Sequence, residues 1–408
     1  MYDESERSGC GPEPSGARSG AQPLKQQVFE YVRAAGQAPR MDVARMLEIS
    51  PGSVTALTSD LIAQGFLEEV EGTAREAGRG RPPVALQVAE GAGLVVGMKL
   101  ADKMHSAVLV DMAGRILAEA EEPCAGRRQS YGVTVDEADR LLTRLLDSAG
   151  RGRGDVAAVG VGLPGIVDAA TGCVPWSPIV AETDADLGGC LADHLGLPVH
   201  LDNDANVLTL AELWFGAGRA MSDFAVVTIE HGVGMGLVLD GKLYRGSQGL
   251  GLELGHTKVH LDGALCRCGR RGCLEAYIAD YALVREAATA LGEDRPGGAA
   301  MLETLYAEAK AGHEAAQAIF RRAGRYLALG LANVVQLFDP AKILLSGERL
   351  RYEYLYADEV MAEMARMSLP VSRDPVPVEI HAWGGRVWAR GAAALALDAV
   401  TEERLGRA

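Results

Sequence analysis

Three cysteines and two histidines crowd into GHTKVHLDGALCRCGRRGCLEAY, residues 255 to 277. No other stretch limits so sharply what this chain can fold into. A structural zinc ion takes four soft or borderline ligands in a tetrahedron, commonly Cys₃His. Cys266, Cys268 and Cys273 with one histidine meet that count, and either His256 or His260 can supply the fourth ligand. Glycines at 269 and 272 permit the tight turns that return the third sulfur to the first two. With all four positions filled by protein no place is left for an activated water. The expected metal is therefore structural zinc, and it stabilises its loop by on the order of 10 kcal/mol, the scale of zinc-folded peptides. The other cysteines, Cys10, Cys124, Cys173 and Cys190, are scattered. That distribution fits a reducing compartment with one metal cluster and not a disulfide framework.

A chain of 408 residues exceeds one ordinary domain. Its start, MYDESERSGCGPEPSGARSGAQ, is polar and rich in Gly, Pro and Ser, unlike a signal peptide. Residues 1–21 are expected to be a disordered tail. No apolar run suffices to span a bilayer, so the expected location is cytoplasmic. A net charge of −15 argues against any chain-wide attraction to nucleic acid or acidic membranes, although a local DNA-binding patch is compatible with it.

Residues 22–90 read as such a module. Leu24, Val28 and Tyr31 recur at helical spacing up to Gly36, and Val43, Met46 and Leu47 mark a second helix. In EISPGSVTALTSDLIAQGFL, Ser50 caps and Pro51 opens a third helix, with Val54, Leu57 and Leu61 facing inward. Ser53, Thr55, Thr58 and Ser59 are expected on its surface. FLEEVE and VALQV then flank the basic tip GTAREAGRGRPP as a hairpin. The sum is a winged helix-turn-helix, whose second helix of the pair enters the major groove while the hairpin meets backbone or minor groove. Between Gln22 and Glu90, seven basic residues face nine acidic ones. The module therefore has little surplus charge for phosphates, and Arg75, Arg79 and Arg81 cluster at the hairpin tip. The expected DNA contacts are Ser53, Thr55 and Thr58 in the groove, with Arg79 and Arg81 on the wing.

From about residue 91 the texture is α/β. GLVVGMKL, SAVLVD, VAAVGVGLP, FAVVTIE and KILLSG read as strands, with VDEADRLLTRLLDSAG and AAQAIFRRAGRYLALGLANVVQLF as helices between them.

VGVGLPGIVD, LDNDANVLTLAELWFGAGR, LELGHTKV, CRCGRRGCLE and LFDPAKILLSG stand in the order of the landmarks of the ROK family of repressors, uncharacterised reading frames and sugar kinases. The chain resembles that family over nearly its whole length after the tail, and the N-terminal winged helix resembles its repressor branch. The resemblance implies a two-lobed actin-like, ribonuclease-H-like domain over residues 91–408, with the second lobe starting near 206, the C-terminal helix packing back on the first lobe, and a sugar in the cleft. It also implies His256 over His260 as zinc ligand, and Asn203, Asp204, Glu253, His256 and Glu275 as sugar contacts. Carboxylates and amides grip hydroxyls through charge-assisted hydrogen bonds. One ring nitrogen of His256 would hold zinc while the other faces the sugar.

In the family's kinases Asp204 would be the general base, but phosphoryl transfer depends chiefly on cradling triphosphate and metal. Here Lys99 stands where the family's first hairpin carries aspartate, and Ala101, Asp102 and Lys103 replace its two glycines and threonine. Glu230 and His231 replace Gly-Thr in the second turn, and LLSGERL keeps one glycine of the third. The expectation is a sugar-responsive, non-enzymatic repressor, acting on operator DNA as a homodimer or a dimer of dimers and released by a monosaccharide. The alternatives are a sugar kinase with an atypical ATP site and a repressor controlled by a partner protein. The tract VPWSPIVAETDADL departs from the Asn-Leu pattern of relatives and leaves one sugar contact unassigned.

Overall fold

The structure is a computed structural model. It describes residues 9–13, 22–71, 84–124, 126, 128–247, 249, 251–292, 298–347, 358–369 and 374–406. They form two compact units, a larger one of residues 9–222, 238–250 and 385–406 and a smaller one of 223–237 and 251–384.

The larger unit begins with α1 (Leu24–Ala35), which stops at Gly36 with φ 75°. After it come β1 (Ala38–Pro39), α2 (Arg40–Met46) and α3 (Pro51–Ala63). The Ser50 hydroxyl accepts the Ser53 N–H at 3.1 Å and Pro51 fills the first turn of α3, so the expected cap is present. Val28, Phe29, Val43, Val54 and Leu61 close a small core. β2 (Leu67–Glu71) and β3 (Val84–Val88) pair antiparallel, Leu67 opposite Val88, with β1 on the other side of β3. The hairpin tip, residues 72–83, lies outside the described residues.

The disordered-tail expectation fails for residues 9–13. Cys10 is 2% exposed and its N–H donates to the Arg33 carbonyl. Gly11 N–H donates to the Trp214 carbonyl at 2.8 Å and Glu13 N–H to that of Arg219 at 2.7 Å. Gly9 has φ 109°, and a Cβ there would lie 2.5 Å from the Arg33 oxygen. The glycines that read as disorder supply a close backbone approach instead. Residues 1–8 and 14–21 lie outside the described residues.

β4 (Leu94–Lys99), β5 (Met104–Asp111), β6 (Ile116–Pro123), α4 (Tyr131–Ala149), β7 (Val156–Leu163), β8 (Ile166–Asp168), β9 (Cys173–Trp176), α5 (Leu187–Leu195), β10 (Val199–Asn203) and α6 (Asp204–Phe215) continue the larger unit. The sheet order is β10-β7-β4-β5-β6, with β10, β7 and β4 parallel and the remaining pairs antiparallel. Side chains alternate between faces. Val96, Met98, Val159 and Val161 pack in one buried cluster with Leu141, Leu142 and Leu145 of α4.

β11 (Phe224–Ile229), β12 (Val233–Leu239) and β13 (Lys242–Tyr244) start a second sheet. It is completed after α7 (Glu275–Ile278), α8 (Asp280–Leu291), α9 (Ala299–Lys310) and α10 (Glu314–Phe338) by β14 (Ile343–Gly347), α11 (Asp358–Met367) and β15 (Val378–Ala382). Its order is β13-β12-β11-β14-β15, with β11, β14 and β15 parallel.

The chain then returns to the larger unit as α12 (Val387–Leu405). A Cβ on Gly97 would fall 2.0 Å from the Ala389 oxygen, and one on Gly160 1.9 Å from that of Ala392. The helix therefore touches the sheet backbone to backbone. Gly391 meets the Val207 oxygen at 1.7 Å in the same sense, so α6, expected to open the second lobe, sits in the larger unit. No helix among the described residues is long and apolar enough to cross a membrane.

Candidate functional site

In the smaller unit a 3-10 turn, Leu254–His256, presents His256, and the chain then doubles back on itself. Gly269 and Gly272 have φ 80° and 74°. A Cβ on Gly272 would lie 1.7 Å from the His260 oxygen, so only glycine fits there. Cys266 and Cys273 are buried and Cys268 is exposed. His256 Nδ1 lies 3.7 Å from Cys266 Sγ, and Cys268 Sγ lies 3.7 Å from Cys273 Sγ. All four ligand atoms stand within 4.8 Å of one another.

A tetrahedron with Zn–S near 2.3 Å requires sulfurs about 3.8 Å apart, so the donor set fits a zinc ion in size, number and softness. Burial, with the Glu275 carboxylate nearby, pushes the Cys266 thiol up to about 12; a metal would have to displace that proton. The Lys258 ammonium lies 2.7 Å from Cys273 Sγ, which offsets negative charge on a thiolate. His260 is exposed and stands outside the group, its carbonyl accepting from Gly263 N–H.

Glu275, 8% exposed, has Oε1 3.5 Å from Cys266 Sγ and 3.4 Å from the Tyr281 hydroxyl, while Oε2 accepts from Val233 N–H at 3.4 Å. It is thus tied to the cysteine loop. Glu253 is exposed immediately before the turn that carries His256.

Asn203 and Asp204 stand in the larger unit, where β10 passes into α6. Asn203 caps the helix, accepting Ala205 N–H at 2.8 Å, and its amide donates to the Gly165 carbonyl. Burial raises Asp204 to about 6, opposed by the Lys99 ammonium and by the Ala205 N–H. The neighbouring Asp202 also holds this corner together. It is 1% exposed and accepts from Arg245 Nε at 2.7 Å, Asn206 Nδ2 at 2.7 Å and Asn203 N–H at 2.8 Å. The paired residues lie 43 apart in the chain, beyond any local pattern. The only available signal was a buried-looking aspartate beside two polar neighbours.

Described residues at the altered turns make contacts within the chain. Lys99 Nζ lies 3.5 Å above the Trp388 ring. Ala101 N–H donates to His105 Nδ1 at 3.0 Å, and His105 Nε2 pairs with Glu137 at 2.9 Å, both side chains buried. In the smaller unit Glu230 lies against Gly347, where a Cβ would meet its Oε1 at 3.0 Å.

Among the expected DNA contacts, Ser53 and Thr55 are exposed on α3. Thr58 is a correction. It is fully buried, its hydroxyl accepting from Arg40 Nε at 3.0 Å and donating to the Thr55 carbonyl at 3.3 Å. Arg40, which also pairs with Glu69 at 2.7 Å, draws it inside. Arg79 and Arg81 lie outside the described residues.

The sequence model of the ROK family matches residues 96–399. The Xylose repressor of Caldicellulosiruptor bescii is 25% identical over 371 residues, covering 88% of this chain and 91% of its own. Of solved structures, a ROK family transcriptional regulator described as a homolog of the E. coli MLC protein superposes with TM-score 0.78 and 27% identity, covering 93% of this chain and 96% of its own. The ROK hexokinase of Thermus thermophilus superposes with TM-score 0.64 and 30% identity, covering 76% and 99%.

Proposed function

Because the chain belongs to the ROK family, we propose that it is a sugar-responsive transcriptional repressor of carbohydrate uptake or catabolism genes. Residues 22–90 form its winged helix-turn-helix and residues 91–408 its sugar-binding part. The observation that carries this reading is an asymmetry. The polar pair Asn203 and Asp204 is intact, while Lys99 is stacked on Trp388 and a Glu230 carboxylate stands at Gly347. A triphosphate needs free backbone N–H groups and no carboxylate beside them. The similarity to the xylose repressor and the ROK regulator points the same way.

A monosaccharide is bound through Asn203, Asp204, Glu253, His256 and Glu275. Zinc on His256, Cys266, Cys268 and Cys273 is structural, and it fixes the ring of His256. Operator DNA is met by Ser53 and Thr55 of α3, with Arg79 and Arg81 on the wing. A homodimer, or a dimer of dimers, reads half-sites about 34 Å apart or a multiple of it. Sugar binding coupled to DNA binding by about 1–3 kcal/mol changes occupancy roughly five- to 150-fold.

Fluorescence anisotropy on the protein's own upstream DNA, at fixed salt and with a panel of monosaccharides, tests this reading. Specific binding that one sugar weakens supports it. Binding no tighter than to a scrambled duplex, or no sugar effect, counts against it. The likeness to a ROK hexokinase keeps a kinase as the second reading, and ATP-dependent phosphorylation of any sugar in the same panel would establish it.

A further inference from the structure

Residues 9–13 form a short strap within the larger unit, and two successive amides of it reach the ends of two different helices. Cys10 N–H donates to the Arg33 carbonyl in the last turn of α1 at 3.1 Å. Gly11 N–H donates to the Trp214 carbonyl in the last turn of α6 at 2.8 Å. The last four carbonyls of a helix have no partner in its regular ladder, and the strap supplies a donor to each end. Arg219, 3% exposed in the 3-10 turn Ala217–Ala220, closes the arrangement. Its Nε donates to the Gly11 carbonyl at 2.9 Å and its Nη2 to the Ala34 carbonyl of α1. Its cation also suits the negative end of that helix.

The fit leaves no slack. Cys10 is 2% exposed, and a Cβ on Gly114, in the turn between β5 and β6, would stand 2.4 Å from its Sγ. A Cβ on Gly9 would stand 2.5 Å from both the Arg33 oxygen and the Gly36 nitrogen. The helix held at its far end by this strap is the one that opens with the polar pair. Asn203 caps α6 and Asp204 is its first residue, and Trp214 lies about 15 Å further along the axis.

We propose that residues 9–13 are the tie through which sugar binding reaches the DNA-binding helices, an inference that rests on the sugar-responsive reading above. Coupling travels through packed side chains, hydrogen bonds and rigid elements. A ligand that grips Asn203 and Asp204 shifts the start of α6, and the helix carries the shift to Trp214. The strap and Arg219 pass it to Arg33 and Ala34 at the end of α1. Val28 and Phe29 of α1 share a core with Val54 and Leu61 of α3, so the movement arrives at the helix proposed to enter the groove.

Two variants of the whole protein test the tie. Deletion of residues 2–13 removes the strap and adds no atom to the fold, and Gly9→Val drives it out through the 2.5 Å contact. Isothermal titration with the panel of monosaccharides gives sugar affinity, and operator anisotropy with and without each sugar gives the coupling. In both variants each affinity stays within about threefold of the parent's. The sugar effect on operator affinity, roughly five- to 150-fold where allostery is typical, falls to within about twofold of unity. Alkylation of Cys10, followed by mass spectrometry, is slow in the parent and fast in Gly9→Val. A sugar effect that survives both variants routes the signal elsewhere and overturns the proposal. So does loss of either affinity in a variant that melts like the parent, because the strap would then build a site and not join two. Unfolding of both variants, or Cys10 equally reactive in parent and Gly9→Val, overturns it as well. A parent protein without any sugar effect fails the repressor reading itself and takes the tie with it; that outcome is told apart because no variant enters it.

Discussion

Arg245 donates through Nε to Oδ2 of Asp202 across 2.7 Å, and the carboxylate it reaches is 1% exposed. Asp202 in turn accepts the backbone N–H of Asn203, so the guanidinium steadies the polar pair proposed to meet sugar. Arg245→Met leaves a buried carboxylate without its cation. The expected cost is about 2 kcal/mol of stability, read as a lowered midpoint in urea, together with a weakened sugar response. A variant with wild-type midpoint and response would remove Arg245 from this role.

Asp204 gives a pH signature with a definite sign. Its folded value of about 6 lies above the ordinary 3.8, so between those values the folded chain holds the proton more tightly than the unfolded one. Stability from this group is therefore greatest below about 4 and falls as pH rises toward 6. Sugar affinity runs the opposite way, because the acceptor is the ionised form. At pH 5 roughly a tenth of the sites are ionised, and binding should be about tenfold weaker than at pH 7. Asp204→Asn should flatten the titration; a profile that keeps its slope in that variant assigns the proton elsewhere.

Cys268→Ser removes one sulfur of the four-ligand group. Zinc per chain, measured by atomic absorption after dialysis, should fall from near one to near zero, and the melting temperature should drop with it. Chelator treatment of the parent protein should reproduce the drop and added zinc should reverse it. His260→Ala should change neither quantity.

Thr58 and Ser53 sit on the same helix but separate two effects. Thr58→Val deprives Arg40 of its acceptor and should cost about 1 kcal/mol, with the sequence preference on DNA unchanged. Ser53→Ala should leave stability within about 0.5 kcal/mol and lower operator affinity in anisotropy. The reverse pattern would place Thr58, and not Ser53, at the groove.

What the chain announced in advance was local. Ser50 with Pro51 starts α3 because cap and proline act within one turn. CRCGRRGC closes on itself because Gly269 and Gly272 adopt positive φ within the loop that carries the sulfurs. What stayed hidden was set by distant partners. Periodicity placed Thr58 outside, and Arg40 from another helix drew it in. Cys10 and Gly11 read as disorder because the carbonyls that accept their N–H groups belong to Arg33 and Trp214. The pairing of His105 with Glu137 joins a strand to a helix 32 residues away, and no spacing rule reaches that far.

Gly97 and Gly160 bear on anyone who would breed new ligand preferences into this protein. Where α12 lies on the sheet with no side chain between the two backbones, even one added methyl group has nowhere to go. Random libraries that touch these positions, or Gly391, would be mostly dead on arrival. The productive diversity lies at exposed positions such as Glu253.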